Sequence, residues 1–249
     1  EKITLTAANY SDFISLTVPT GEGYLAEGGY NYPTAQAKTG ISVAPTGAIT
    51  ISYIDSEGNA LTDAPTAVGE YKVLLSVAED ANFNAASGID TGKTYKIDKA
   101  MPSMGIYYDK AKYGSDTVIT VNLRAKLKGD GTDGIISGGT VTLTFEENGV
   151  IDNSKTQTKD VNGASLKFTV TNLPNAGTPC DCTLTYSGND NYQAKVAKGS
   201  FVVGQAPSTT AVTLDKTSYT YGEDMVITVD APKAADETEI SVIDIYDTS

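Results

Sequence analysis

The residues that could do chemistry in this chain are its carboxylates, because it contains 31 Asp and Glu but no histidine. Without histidine there is no Ser-His-Asp or Cys-His relay, no histidine general base and none of the commonest zinc geometries. Two carboxylates could still act as they do in glycosidases, provided that they lie several ångströms apart. The sequence singles out no such pair, so we expect no catalytic residue and no enzyme activity.

One glycine-rich loop, Lys128–Gly134, carries two carboxylates, Asp130 and Asp133, beside several backbone carbonyls. Calcium prefers hard oxygen ligands of this kind, so a calcium site is one hypothesis for the loop. The spacing of an EF-hand and its closing Glu are absent, which favours a plain glycine-rich turn. We expect no other metal and no other cofactor.

Tyrosine is the aromatic residue that could bind a sugar, because the chain has 15 Tyr and no Trp. Aromatic rings offer flat apolar faces, and Tyr suits positions that are half exposed to water. The pairs Tyr30/Tyr32 and Tyr107/Tyr108 are the best candidates for such a binding platform. The alternative is that these rings belong to the core, as the alternating positions of most other tyrosines suggest.

The net charge of −13 at pH 7 argues against nucleic acid as a partner, because phosphates bind to basic surfaces. The acidic residues are scattered, which is typical of a well-solvated surface. A stretch of about 18 apolar residues is absent, so we expect no membrane insertion. The chain begins at Glu1 with no charged and apolar leader, and we interpret it as a mature protein or, preferably, an excised fragment.

The elements that must position these residues are repeated along the chain. Gly114–Val121 returns as Gly222–Val229, and Asp80–Phe83 corresponds to Asn189–Tyr192. Two echoes at nearly the same spacing indicate that one domain-sized unit has been copied. At roughly 100–150 residues per domain, the 249 residues hold two units and a remainder.

Alternation of apolar and polar residues predicts strands, because successive side chains on a strand face opposite sides. Predicted inward positions of the first unit are Ile49, Ile51, Tyr53, Tyr71, Val73, Leu75 and Val77. Those of the second unit are Ile119, Val121, Leu123, Val141, Leu143, Phe145, Leu166, Phe168 and Val170. Frequent turn signals and the lack of helix-length segments predict an all-β fold of tandem Ig-like antiparallel β-sandwich domains.

The two cysteines, Cys180 and Cys182, are too few for a disulfide framework. The repeat spacing places them where the first unit has Tyr71 and Val73, which are inward positions. We therefore expect both thiols to pack in the core as small apolar side chains. A strained disulfide between them is the alternative, since residues i and i+2 on a strand lie near the upper limit for bridging.

We predict three units along the chain. Residues 1–100 form the first domain, in which residues 1–20 are either an extra hairpin or the tail of an upstream unit. Residues 101–206 form the second domain, and residues 207–249 form the N-terminal part of a third. The third unit either was cut within a domain or is completed by strands of another chain. Pro-Ser pairs at both junctions restrict hinge motion and favour an extended rod.

The second unit resembles the bacterial Ig-like repeats of surface proteins, as does the opening of the third. The resemblance lies in Leu173–Gly177, in Cys180–Cys182 and in the phrase Tyr186–Tyr192. The first unit is similar to the related mucin-binding or YDG-type repeats in three phrases, which are Tyr32–Gln36, Val68–Val73 and Ile97–Ala100. It departs from them in carrying Pro33 where Asp-Gly usually follows the Tyr.

This resemblance implies a bacterial cell-surface or secreted protein, in which such repeats serve chiefly as spacers. We therefore expect a non-catalytic stalk, for example that of an adhesin, whose partners are the neighbouring Ig-like domains of the same chain. One alternative is a carbohydrate- or mucin-binding module that binds a host glycan or surface protein. Another is an ancillary region of an extracellular polysaccharide-degrading enzyme.

Overall fold

The computed structural model describes residues 1–163, 165–206 and 211–230, and its dominant element is the antiparallel β-strand. Two groups of strands, each around its own buried side chains, follow one another along the chain, and a hairpin comes after them. We call residues 1–98 the first unit and residues 103–204 the second unit. No helix within the described ranges is long and apolar enough to cross a bilayer.

The first unit packs two sheets against each other. Its elements are α1 (Tyr10–Phe13), β1 (Ile14–Thr17), β2 (Glu22–Gly23), β3 (Thr34–Ala37), β4 (Ile49–Ile54), β5 (Gly69–Val77) and β6 (Ala86–Asp98). Strands β1 and β3 form the smaller sheet, and the larger sheet has the order β2-β6-β5-β4. In the larger sheet β4, β5 and β6 are antiparallel, while β2 lies parallel to the end of β6.

The sequence left two interpretations open for residues 1–20, and residues 1–17 of this segment pack into the core of the first unit. Leu5, Tyr10 and Ile14 are buried against Leu75 and Phe83. Strand β1 completes the smaller sheet by pairing with β3. A second group of buried side chains lies at the other end of the unit and consists of Tyr30, Tyr53, Tyr71, Val73, Tyr95 and Ile97.

The second unit is a sandwich of two antiparallel sheets. The strands are β7 (Ser103–Tyr108), β8 (Thr117–Lys126), β9 (Asp133–Ile135), β10 (Thr140–Glu147), β11 (Val150–Ile151), β12 (Gln157–Asp160), β13 (Leu166–Val170), β14 (Pro179–Tyr186) and β15 (Lys195–Val202), with a 3₁₀ turn at Asn153–Lys155. One sheet has the order β13-β8-β7, with β9 beside β8, and the other has the order β11-β10-β14-β15, with β12 beside β10.

The predicted inward positions of the second unit form its core. Ile119, Phe168 and Val170 of one sheet are fully buried, and they belong to one cluster with Leu143 and Phe145 of the other. The closing strands of the two units, β6 and β15, pair antiparallel with β5 and β14, the strands directly before them.

The hairpin after the second unit reproduces the register of the opening strands of that unit. Strand β16 (Ala211–Leu214) pairs with β17 (Ile227–Asp230), with Leu214 opposite Ile227. Tyr108 lies opposite Ile119 in the same way in the second unit. Between these paired residues, the loop from β16 to β17 is two residues longer than the loop from β7 to β8, and this insertion, Thr220-Tyr221, leaves the pairing unchanged. The Pro207-Ser208 junction and the end of the predicted third unit, residues 231–249, lie outside the described residues.

Two tyrosines that face each other across β5 and β6 differ in how their hydroxyls are satisfied. Tyr71 donates to the carbonyl of Ala67 at 2.8 Å, which fixes the corner where the chain enters β5. This tyrosine corner is typical of sandwiches of this kind. Tyr95 is fully buried, and its hydroxyl has no hydrogen-bond partner among the described residues. Burial, with the carboxylate of Glu22 as a smaller cause, raises the pKa of Tyr95.

Removing each hydroxyl should therefore have opposite consequences. We expect Tyr71→Phe to lower the free energy of unfolding by about 1 kcal/mol, because the part-buried hydrogen bond from its hydroxyl to the carbonyl of Ala67 is lost. Tyr95→Phe should leave the stability unchanged or raise it, because the hydroxyl that is removed is buried and unsatisfied. Urea unfolding of the two variants, followed by tyrosine fluorescence, measures both effects. An equal loss in both variants would contradict this account of Tyr95.

Candidate functional site: the contact between the two sandwiches

The sequence left a binding platform and the core as two interpretations of Tyr30 and Tyr32, and the structure has Tyr30 in the core of the first unit and Tyr32 packed against that core. Tyr30 is buried, and its hydroxyl accepts from the N–H of Leu25 at 2.8 Å and lies 3.0 Å from the carbonyl oxygen of Thr66. Tyr32 donates to the carbonyl of Pro65, and its ring packs between those of Tyr30 and Tyr95. The loop that carries both residues folds back over the sheet, which brings the rings inward.

Tyr107 and Tyr108 are both exposed, yet they do not share a surface, because adjacent residues on β7 face opposite sides of the sheet. Tyr108 packs against Phe201 with ring centres 5.3 Å apart and donates to the carbonyl of Ser200. Tyr107 lies over Gly105 on the outer face and is 61% exposed. A flat ligand could therefore meet one free ring at this position rather than a pair.

The loop with Asp130 and Asp133 is used as a structural turn. The N–H of Thr132 donates to Asp130 at 2.9 Å, and hydrogen bonds from Thr132 lower the pKa of this carboxyl. Asp133 begins β9 and lies opposite Lys126. Within the described ranges no three carboxylates or thiols are gathered where they could hold a metal ion. The same loop, however, contacts the first unit.

Both cysteines lie in the core of the second unit as the repeat predicted. Cys180 and Cys182 are fully buried on β14, and both thiols are free. Burial raises the pKa of Cys180 to about 11, so the reactive thiolate is scarce near neutral pH. Cys180 takes the place of the corner residue Tyr71 of the first unit.

The first part of the contact between the units is a clamp on the linker. Ala100 donates its N–H to the carbonyl of Asn191 and accepts from the N–H of Gln193, each at 2.9 Å. The side chain of Gln193 donates to the carbonyl of Lys99, whose own amine donates to the carbonyl of Asn189 at 2.7 Å. The linker thus runs as a short extra strand along the turn between β14 and β15.

An aromatic contact crosses the boundary beside this clamp. Tyr24 of the first unit meets Tyr192 of the second edge to face, with ring centres 5.6 Å apart and an interplanar angle of 89°. Tyr24 is held by its N–H, which donates to the carbonyl of Asp98 at the end of β6. Tyr24 and Ala100 both pack against the buried core of the second unit, so that core extends across the boundary.

The third part of the contact joins two loops. Glu27 donates its N–H to the carbonyl of Leu127 at 2.8 Å, and Gly129 donates to the carbonyl of Gly28 at 3.2 Å. The amine of Lys128 lies 2.9 Å from the carboxylate of Glu27, which raises the pKa of Lys128. Only glycine fits at position 129, because a Cβ there would overlap the carbonyl oxygen of Gly29. Backbone pairing, rather than the exposed ion pair, therefore sets this approach.

The turn between the last two strands of the first unit is shaped by Asp80. One carboxylate oxygen accepts from the N–H groups of Asn82 and Phe83, at 2.7 and 2.8 Å. The other oxygen accepts from the N–H groups of Thr46 and Gly47, at 2.6 and 3.1 Å. These hydrogen bonds to the charged form lower the pKa of Asp80 well below its ordinary value.

The corresponding turn of the second unit uses Asn189 instead of an acid. Its side-chain oxygen accepts from the N–H groups of Asn191 and Tyr192, each at 2.9 Å. Its amide nitrogen donates to the carbonyl of Ser137 at 3.0 Å. In the first unit the neighbouring loop offers hydrogen-bond donors to Asp80, whereas in the second unit it offers an acceptor to Asn189. The choice of acid or amide therefore matches the hydrogen-bonding groups that each loop presents.

The strand order defines the class of the protein, which is a tandem array of Ig-like antiparallel β-sandwiches. None of the protein-family models compared with the chain matches it, and no curated protein matches it. Among solved structures, the chain is similar to the fibronectin(III)-like modules of Clostridium thermocellum CbhA. The identity is 12% and the TM-score 0.27, over 77% of this chain and 95% of that chain.

Acid should weaken the first unit through Asp80. Because its pKa is lower in the folded than in the unfolded protein, its contribution is fully present above about pH 4 and is lost as the pH falls towards the folded pKa. Asp80→Asn should lower the unfolding midpoint of the first unit at pH 7 and reduce its dependence on pH between 2 and 5. Thermal unfolding at several pH values, resolved by hydrogen exchange of residues 69–98, measures both changes.

The matched variant is Asn189→Asp, which places an oxygen against the carbonyl of Ser137 and should destabilise the second unit at pH 7. If Asp80→Asn were neutral at pH 7, polarity matching could not explain the two turns.

Proposed function

We propose that this chain is a non-catalytic spacer from a bacterial cell-surface or secreted protein, in which the contact between successive sandwiches sets their relative orientation. The observation that carries the proposal is the three-part contact of linker, aromatic pair and loops. Units joined by a free tether have no need of such contacts, and their linkers are typically flexible and polar. The linker here is short, and its Pro102 is buried.

The backbone pairing makes this contact a stiff one. The linker at Ala100 and the loop at Gly129 each form hydrogen bonds with the opposite unit, and Tyr24 lies beside the linker clamp. A bend at the linker would separate the loops, and a twist would move Tyr24 away from Tyr192. A stack of units fixed in this way gains length in proportion to their number, which is what a spacer requires.

The cell-surface setting is supported by sequence phrases rather than by the fold alone. Tyr186–Tyr192, which resembles the closing phrase of bacterial Ig-like surface repeats, supplies two residues of the clamp for the linker, Asn189 and Asn191. The resemblance and the contact therefore overlap at these residues. The strongly acidic composition, with a net charge of −13, suits a segment that must remain extended and soluble.

The fixed orientation can be tested by residual dipolar couplings on the full chain. We expect one alignment tensor to fit the amides of residues 1–98 and 103–204 together. Gly129→Ala should change the relative orientation of the units, because its methyl group overlaps the backbone of Gly29. Gly163→Ala is the matched control, because a Cβ at that position meets open space. Two unrelated tensors in the unmodified chain would reject the proposal.

Of the four tyrosines that the sequence proposed for a binding platform, Tyr107 has the most exposed ring, so the adhesive alternative depends on this residue. Binding to a glycan array by the full chain, lost in Tyr107→Ala and kept in Tyr108→Phe, would favour that alternative over the spacer. We expect no glycan to be retained by any of the three proteins, because one ring on a flat sheet lacks the converging polar groups that hold a sugar.

A further inference from the structure

The first unit makes with its own N-terminal residues the same contact that the second unit makes with the linker from the first unit. Ile3 donates its N–H to the carbonyl of Asn82 at 2.8 Å and accepts from the N–H of Asn84 at 2.9 Å. Ala100 makes the corresponding pair of bonds with the second unit. Ile3 and Ala100 each form a parallel β-bridge with the aromatic residue of the turn, which is Phe83 in the first unit and Tyr192 in the second.

The residues before these two contacts match in sequence and in role. Glu1-Lys2-Ile3 corresponds to Asp98-Lys99-Ala100, an acid followed by lysine and an apolar residue. The amine of Lys2 binds the carboxylate of Glu79, and that of Lys99 binds the carbonyl of Asn189, so both lysines reach the same turn. The three-residue segment that leads into each unit therefore recurs both in sequence and in the contacts that it makes.

The aromatic contact recurs as well, but from a different source. In the first unit the ring of Phe13, directly before β1, meets Phe83 edge to face at 5.2 Å and 77°. In the second unit the ring that meets Tyr192 in this manner is Tyr24, which belongs to the first unit. The segment Thr4–Phe13 has no counterpart between Ala100 and β7.

We infer that the second sandwich is completed by the first, whereas the first sandwich is completed by its own segment Glu1–Phe13. The partner that the second unit requires is the closing edge of a preceding unit, which presents a Tyr beside an acid-Lys-apolar linker. This inference goes beyond a spacer role. The first unit could fix the orientation of the second without raising the free energy of unfolding of the second unit. Conversely, it could raise that free energy across a contact that still bends.

The two cysteines provide a native reporter for the second unit alone. Both are fully buried there, and the first unit has no cysteine. Under native conditions a thiol reagent therefore reacts at a rate set by the opening of the second unit. The rate can be measured on the full chain with an excess of reagent and followed by mass spectrometry.

We expect Tyr24→Ala to accelerate thiol labelling by about tenfold or more, because the second core loses an aromatic neighbour. Phe13→Ala, the same truncation at the corresponding position of the first unit, should change the rate by less than about twofold. Hydrogen exchange of residues 69–98 checks that the first unit remains folded in both variants. Tyr107→Ala, an exposed ring of the second unit itself, should have no effect.

Ala100→Pro is the second variant, since it deletes the N–H that binds Asn191 and leaves Tyr24 in place. It should also accelerate labelling, whereas Met101→Ala, at an exposed position next to it, should not. Unchanged labelling in both Tyr24→Ala and Ala100→Pro, or equal acceleration in Phe13→Ala with a folded first unit, overturns the inference.

Discussion

The structure depends on the capped turn between the last two strands of each sandwich. In both units a short side chain, Asp80 or Asn189, accepts two successive backbone N–H groups and leaves the carbonyl of the following asparagine free. That carbonyl then accepts the N–H of Ile3 or Ala100. A local hydrogen-bond motif is thereby converted into a long-range contact, because the turn cannot hold the entering segment unless it is first held in shape itself.

Packing and hydrogen bonding act together at this place. The clamp brings Ala100 and Tyr24 against the core of the second unit, so apolar burial stabilises an arrangement that the backbone pairing has oriented. The ion pair between Glu27 and Lys128 is half exposed and adds little. The relative position of the sandwiches therefore depends mainly on backbone N–H and carbonyl groups and on the absence of a side chain at Gly129.

The features predicted from the sequence are those encoded by the alternation of apolar and polar residues and by the internal repeat. The prediction failed where the chain folds back on itself. The strand positions and the burial of Cys180 and Cys182 follow from period-two patterns and from the internal repeat. Tyr30 lies in an irregular loop whose path depends on distant contacts, so its burial has no local signature. The clamp is formed by backbone atoms, which leave almost no trace in side-chain patterns. The match of Glu1-Lys2-Ile3 to Asp98-Lys99-Ala100 was the one available signal.

Each unit also has a short parallel pairing between an early segment and its C-terminal end, β2 beside the end of β6 in the first unit and Lys112 beside Gly204 in the second. The two members of each pairing lie far apart in the sequence, so the pairing can form only when the whole unit is present. While a unit is still emerging from the ribosome, its early segment therefore lacks the partner that closes the sandwich.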